Sequence, residues 1–197
     1  MFECAYVKMY AAPPVDRREI LRYAGYRGEV DERTAALLEE CLAESEKAFV
    51  YRVTYCLFDV KQNGVFCRIG NMQTDSALVK ERLDGCEKAV VFAATIGLEI
   101  DRLIMKYAQI STAKALMMQA IGAERIEALC DAFCEDLKKE YALVGDRFSA
   151  GYGDFPLTAQ KDIFSMLDCA RGIGLTLNDS LLMSPTKSVT AIVGIKS

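Results

Sequence analysis

Residues 49–70, FVYRVTYCLFDVKQNGVFCRIG, mark the point where the hydrophobic pattern of the chain changes from a helical period to that of strands. The segment is rich in β-branched and aromatic residues, and Asn63-Gly64 separates its two apolar runs. Asn-Gly is a favoured turn pair, so the segment predicts a β-hairpin whose loop is longer than the minimal two residues. This hairpin, set among helical patterns, decides the fold class.

Helical patterns precede the hairpin. Asp16 is a predicted N-cap of a short helix, and Glu19 stands where the acid of a capping box would be. A second helix is predicted over about residues 31–47 because apolar side chains recur there at helical spacing.

After the hairpin, residues 74–85 predict a short capped helix, and the continuous apolar run of residues 87–97 predicts a buried strand. A further helix follows, and Ser111 is a predicted cap for the long helix that ends near residue 141. The exposed face of the long helix should carry its charges. Its predicted apolar side comprises Leu116, Ala120, Ala128, Leu129, Ala132, Phe133 and Leu137.

The last quarter of the chain predicts one more helix and a final apolar strand. Thr158 is the predicted cap of that helix, which should run through Ala170 and end at Gly172 and Gly174. Without repeats or a linker, residues 1–197 are interpreted as one α+β domain. Its predicted architecture is an antiparallel or mixed twisted sheet flanked by helices.

Composition excludes several classes of function. The chain of 197 residues has a net charge of −4, with acids and bases interspersed, which does not favour nucleic-acid binding. It contains no histidine, so hydrolase triads of the common kind are excluded. Its apolar runs are about half as long as a membrane span, and no signal peptide is recognisable, so we expect a cytoplasmic protein with no membrane partner.

The eight cysteines predict buried thiols rather than a metal site. No CxxC occurs, and only Cys130 and Cys134 are close, one helical turn apart. Without histidine, a zinc site would need thiolates and carboxylates alone. The other six are scattered singly: Cys4, Cys41, Cys56, Cys67, Cys86 and Cys169.

Residues 147–156, RFSAGYGDFP, form the candidate binding loop. Arg147 can donate two parallel hydrogen bonds to a carboxylate or phosphate, and the glycines beside Tyr152 allow close approach of the backbone. Two interpretations remain open: a ligand loop, or a tight connection whose arginine pairs with a nearby acid.

Asp131 and Glu135 lie four residues apart and can project from one side of the long helix. If the loop folds back on the helix, Arg147 and one of these acids could face each other across a gap. Such a pair would suit a zwitterion, with the arginine for its carboxylate and the acid for its ammonium. A solvated helix face is the alternative, more so for Glu135 than for Asp131.

Three segments resemble the activation domain of cobalamin-dependent methionine synthase. RFSAGYGDFP resembles its Arg-x-x-x-Gly-Tyr-x-x-x-Pro motif, ALCDAFCEDLKKEY resembles the helix before that motif, and LLMSPTKSV resembles the later Met-x-Pro-x-x-Ser-Val segment. They occur in the family's order within residues 128–195.

The resemblance implies a protein that binds S-adenosylmethionine and supports the reductive methylation of cob(II)alamin. Arg147 matches the arginine that holds the methionine part of the ligand, and Asp131 matches the glutamate near its ammonium. Gly151 and Tyr152 match the backbone segment that contacts the ligand, with Ala150 and Gly153 beside them. Glu135, and Ser188 from the third segment, complete the set of candidate binding residues.

This chain departs from the family pattern at its end. Ile192 and Val193 stand where the family has an aromatic pair whose tyrosine contacts the ligand, and the family's further strand is missing. No corrinoid module precedes the resemblance, so the implied protein acts in trans on a corrinoid-binding methionine synthase or related methyltransferase. The implied cobalamin is bound by that partner, with a flavodoxin-type electron donor. The alternative is a non-catalytic interaction or sensor protein that keeps the fold without ligand binding.

Overall fold

The computed structural model describes residues 5–196. The helices are α1 (Arg17–Tyr23), α2 (Glu32–Ser45), α3 (Ala77–Arg82), α4 (Glu99–Ala108), α5 (Thr112–Glu140), α6 (Gln160–Met166) and α7 (Cys169–Ile173). The strands are β1 (Tyr6–Tyr10), β2 (Tyr51–Gln62), β3 (Cys67–Ile69), β4 (Met72–Thr74), β5 (Lys88–Thr95), β6 (Leu143–Val144), β7 (Thr176–Leu177), β8 (Met183–Ser184) and β9 (Ser188–Lys196). Short 3₁₀ turns cover Glu46–Ala48 and Leu157–Ala159.

The strands form one seven-stranded sheet and a separate β7–β8 ladder. The order in the large sheet is β4-β3-β2-β5-β9-β6. β3 pairs with the C-terminal end of β2, and β1 pairs with the N-terminal part of the same strand. Each strand pairing in the described part of the chain is antiparallel. The predicted α+β class is therefore confirmed, and so is the hairpin, which β2 and β3 form with Asn63 and Gly64 in its loop.

β5 lies at the centre of the molecule and separates two hydrophobic cores. Because side chains alternate along a strand, Val90, Phe92 and Ala94 pack in the core on the α5 side. Ala89, Val91 and Ala93 pack on the other side, in the core that α3, α6 and α7 cover. Both faces of β5 are therefore covered, which explains its continuous apolar run.

The predicted caps at the start of two helices, Asp16 and Ser111, are confirmed, and Asp31 caps α2. The Asp16 carboxylate accepts hydrogen bonds from the amides of Arg18 and Glu19, and Asp31 accepts one from Thr34. The Ser111 hydroxyl accepts one from the amide of Lys114 at the start of α5. The predicted end of the last helix at Gly174 is also confirmed, since this residue is left-handed at φ 71°.

Three local predictions are wrong. Glu19 is not a capping-box acid, because its carboxylate pairs with Arg22 and the amide of Asp16 donates instead to Glu124. Thr158 caps no helix, because it lies inside the 3₁₀ turn. The predicted helix is broken into α6 and α7, since the backbone turns extended at Leu167.

The predicted division of α5 into apolar and charged sides holds only in part. Leu116 is 48% exposed, whereas Glu124 and Arg125 are buried and form an ion pair. Arg125 also donates to the carbonyl oxygens of Pro13 and Pro14 at 2.6 Å each, and Glu124 accepts the amide of Asp16 at 2.9 Å. The Glu124–Arg125 pair thus provides hydrogen-bond partners for backbone groups of the segment that leads into α1.

The prediction of buried thiols is confirmed for the cysteines that the structure describes. Six of them are buried, and Cys134 is half-buried. Cys4 lies outside residues 5–196. Among those residues, no helix combines the length and the apolar composition that crossing a membrane requires.

Candidate functional site

The loop of residues 147–156 is held against the edge of the sheet by Phe148. Its amide donates to the carbonyl of Ile192 at 3.0 Å, and the Ile192 amide donates back at 2.8 Å. The Phe148 side chain is buried in the core below, 6.2 Å from the ring of Phe155. Since neighbouring side chains in extended backbone point to opposite faces, Arg147 is directed the other way, toward α5.

Arg147 contacts two acids of α5. Its Nη2 donates to Glu127 at 2.7 Å and to Asp131 at 2.9 Å. The loop thus folds back on the long helix, but the predicted gap between Arg147 and Asp131 is wrong, because the two side chains touch directly. Both acids use the same nitrogen, and Nε and Nη1 of Arg147 donate to no residue in the range 5–196.

The surroundings keep Arg147 charged. Burial lowers its pKa, but the neighbouring Cys130, Glu127 and Asp131 outweigh burial, and the net shift of the Arg147 pKa is upward. The Arg147 side chain is 26% exposed and Asp131 is 68% exposed. Arg147 is therefore a permanently charged side chain that is more buried than its partner Asp131.

A cleft of about 620 Å³ opens beside the loop, and we call it the loop cleft. Its polar walls include Arg147, Glu127, Arg82, Gln160 and Thr190. Of the eight residues predicted for the site, five line it: Arg147, Ala150, Tyr152, Gly153 and Ser188.

The two glycines of the loop have the left-handed backbone that the sequence suggested, with φ 96° at Gly151 and φ 55° at Gly153. The Gly151 amide donates to the carbonyl of Phe155 at 2.8 Å, which closes the loop on itself. This turn leaves Tyr152 at its tip, 69% exposed. Tyr152 therefore offers its ring to the mouth of the cleft.

Asp154 fixes the far side of the loop to α3. Its carboxylate accepts hydrogen bonds from the Ser76 hydroxyl and the Ala77 amide, both at 2.6 Å, and from the Leu78 amide at 3.1 Å. These bonds lower the pKa of Asp154 to about 2. Sequence reasoning assigned no role to Asp154, because its partners lie more than seventy residues upstream.

Ser188 is buried and its hydroxyl already has partners. The Ser188 Oγ lies 2.8 Å from the Pro185 carbonyl and 2.8 Å from the Thr95 hydroxyl, which accepts the amide of Gly97. These contacts join β9 to the end of β5. The structure thus shows a structural role for this hydroxyl at the wall of the cleft.

A second cleft, which we call the acidic cleft, lies on the other side of Arg147. It has a volume of about 590 Å³, and Asp131 and Glu135 line it together with Arg147 and Glu127. Glu135 is exposed and pairs with Lys138 at 2.7 Å rather than with Arg147. Arg147 and Glu127 belong to both clefts and form the wall between them.

Sequence reasoning missed three residues of this region: Glu127, Arg82 and Gln160. Glu127 could have been found, since it precedes Asp131 by four residues and shares its helix face. Arg82 and Gln160 enter the loop cleft from α3 and α6, so only the tertiary fold brings them to Arg147.

Fold and site together define an α+β protein with a charged cleft at the edge of its sheet, closed on one side by a glycine-rich loop. Residues 72–196, more than half of the chain, match the family model described as the activation domain of vitamin B12-dependent methionine synthase. The chain belongs to this family.

A solved structure shares the fold. It is the crystal structure of the MetH reactivation domain bound to AdoHcy, with a TM-score of 0.70 and 20% sequence identity. The match covers 97% of this chain and 78% of that one. No curated protein matches this chain significantly.

The expected departure from the family pattern falls on Ile192 and Val193. Both residues are fully buried in β9 and pack in opposite cores. Their side chains are core residues here and line neither cleft.

Proposed function

We propose that this protein binds S-adenosylmethionine in the loop cleft and presents it to a cobalamin-dependent methionine synthase or related methyltransferase, acting in trans to reactivate its cob(II)alamin. The observation that carries the proposal is Arg147, a charged group at the wall of a suitably sized cleft with Nε and Nη1 still available. Family membership supports it, and so does the AdoHcy in the solved structure of similar fold.

The cleft fits the chemistry of this ligand. Ligand sites usually enclose about 300–1,000 Å³, and the loop cleft lies in that range at about 620 Å³. The carboxylate of the methionine part would accept hydrogen bonds from Arg147, and the ammonium would donate to Glu127, whose carboxylate lines the same cleft. Ala150, Gly151 and Gly153 bring backbone to the ligand without a bulky side chain.

The work of this chain is binding and orientation. S-adenosylmethionine supplies the methyl group, a donor of the flavodoxin type supplies one electron, and the cobalt of the partner's corrinoid receives both. No proton needs to move and no protein nucleophile is required, which agrees with the absence of histidine from the sequence. Holding the sulfonium at a fixed place lowers the entropic part of the barrier to methyl transfer.

Calorimetric titration with S-adenosylmethionine tests the binding step. Arg147→Ala removes a charge-assisted contact and leaves two acids near the ligand carboxylate, so binding should weaken by about 2–4 kcal/mol, or roughly 30- to 1000-fold. Arg82→Ala is the matched control, because Arg82 lines the same cleft and its partner Asp146 is exposed. We expect a change below about tenfold for this exposed cation.

The reactivation step needs a second assay. A methionine synthase without its own activation domain, trapped as cob(II)alamin, should recover turnover when this protein, S-adenosylmethionine and a reductant are added together. Recovery that is unchanged when this protein is omitted would contradict the proposal.

The direct Arg147–Asp131 contact favours one alternative, an interaction or sensor protein that keeps the fold without the ligand. In that case the arginine serves only to fasten the loop to α5. A folded wild-type protein that shows no heat of binding, with Arg147→Ala less stable than wild type, would favour this alternative.

A further inference from the structure

Gln160, the first residue of α6, carries a side-chain amide whose buried oxygen the fold leaves unsatisfied. The residue is 6% exposed, and its Oε1 is buried without a hydrogen-bond partner. Its Nε2 is not fully buried and donates to no residue between positions 5 and 196. Buried amides are normally paired, so one that is not calls for a partner from outside the chain.

The amide lies where a ligand could supply that partner. Gln160 lines the loop cleft together with Arg147, and the apolar Leu78, Met183 and Val189 lie on the same walls. Arg147 provides charge for a zwitterion, whereas Gln160 is neutral and offers one acceptor and one donor side by side. The two residues therefore suit different parts of one ligand.

We propose that Gln160 recognises the adenine base of S-adenosylmethionine, with Oε1 accepting from the 6-amino group and Nε2 donating to a neighbouring ring nitrogen. A carboxamide matches the adjacent donor and acceptor of adenine with two hydrogen bonds. A sulfonium or an ammonium would leave its Nε2 without an acceptor. The inference rests on the proposed function and adds that the cleft selects the base as well as the amino acid.

The test is a cycle of one substitution and one change in the ligand. Gln160→Met keeps the length and shape of the side chain but removes both hydrogen-bonding groups. The ligands are S-adenosylhomocysteine and its analogue with unsubstituted purine, which lacks the 6-amino group. Wild type should bind the first ligand about 10- to 100-fold more tightly than the second, and Gln160→Met should bind the two equally.

Thermal unfolding of the free protein separates recognition from a structural role. Replacing an unpaired buried amide by an apolar group of the same shape is nearly neutral or stabilising, so the melting temperature of Gln160→Met should stay level or rise. Gln119→Met, at an exposed position of α5 outside both clefts, should change neither the melting temperature nor the preference between ligands.

Any one of four results would overturn the inference. If Gln160→Met weakens both ligands equally, or if its melting temperature falls, the amide has a structural or ribose-directed role. If wild type binds both ligands with the same affinity, the base is not recognised. If wild type binds neither, the proposed function fails as well and this inference falls with it.

Discussion

The Ser76 hydroxyl donates a hydrogen bond of 2.6 Å to the carboxylate of Asp154, across 78 positions of the chain. With the amides of Ala77 and Leu78 it ties the glycine-rich loop to the start of α3. The loop that carries Arg147 is thus held at both ends, by β9 through Phe148 and by α3 through Asp154. A loop fixed in this way keeps its cleft open without a ligand.

The Asp154 attachment should be lost in acid. Its pKa is about 2 in the folded protein and about 4 for an unstructured aspartate. A lowered pKa means that this contribution to stability is present above pH 4 and is lost as the pH falls through about 2. In NMR titrations the Ala77 and Leu78 amide shifts should move with a midpoint near 2. Asp154→Asn should abolish the titration, and a midpoint near 4 would contradict the assignment.

Substitutions of the two candidate acids of α5, Asp131 and Glu135, should have different effects on ligand binding. Asp131→Asn should weaken S-adenosylmethionine binding by about tenfold or more, because it removes a charged partner that holds the Arg147 guanidinium at the wall of the loop cleft. Glu135→Gln should change the affinity by less than about twofold, since Glu135 is exposed and paired with Lys138. Calorimetry on both variants checks this, and equal effects would argue for a diffuse electrostatic contribution instead.

The Glu124–Arg125 pair should dominate the attachment of the segment before α1. Arg125→Met leaves a buried carboxylate unpaired and two proline carbonyls unsatisfied, so unfolding free energy should fall by about 3–5 kcal/mol. Glu124→Gln should also destabilise, and the double variant should lose less than the sum of the two. Urea unfolding of all three measures the coupling, and strictly additive losses would show that the two side chains act independently.

Phe133 should be the most sensitive core position of α5. Its ring lies 4.8 Å from that of Phe92 and 5.1 Å from that of Tyr55, centroid to centroid. Phe133→Ala should cost about 3–5 kcal/mol in unfolding free energy. Leu116→Ala on the same helix should cost less than about 1 kcal/mol, because Leu116 is 48% exposed. Similar losses at both positions would contradict this account of the core.

Local signals in the sequence were enough for most elements. The caps at Asp16, Asp31 and Ser111 depend on residues two or three positions away, and the run around Phe92 reflects burial on both faces of β5. The approach of Arg147 to Asp131 was also predictable, because the loop follows directly on the helix that carries the acid. The distance between the two side chains was not predictable, because residue spacing along a helix does not determine how closely a loop packs against it.

Tertiary contacts account for the rest. Glu19 fails as a capping acid because Glu124 of α5 takes the amide that Glu19 would have accepted. Thr158 fails as a cap because the chain leaves Pro156 in a 3₁₀ turn before α6 begins. The roles of Asp154 and Gln160 depend on residues far away in sequence: the hydrogen-bond donors of Asp154 and the other residues that line the loop cleft with Gln160. Sequence patterns that span only a few residues contain no information about such contacts.

The burial of Glu124 and Arg125 has a consequence for dissecting this protein. Their partners, Pro13, Pro14 and Asp16, lie outside the region that the family model matches, as do β1, β2, α1 and α2. A fragment trimmed to residues 72–196 would expose one edge of β5 and open the ion pair to solvent, so it would be a poor reagent for binding studies. The region that defines membership of the family, residues 72–196, is therefore shorter than the region needed for a stable fold.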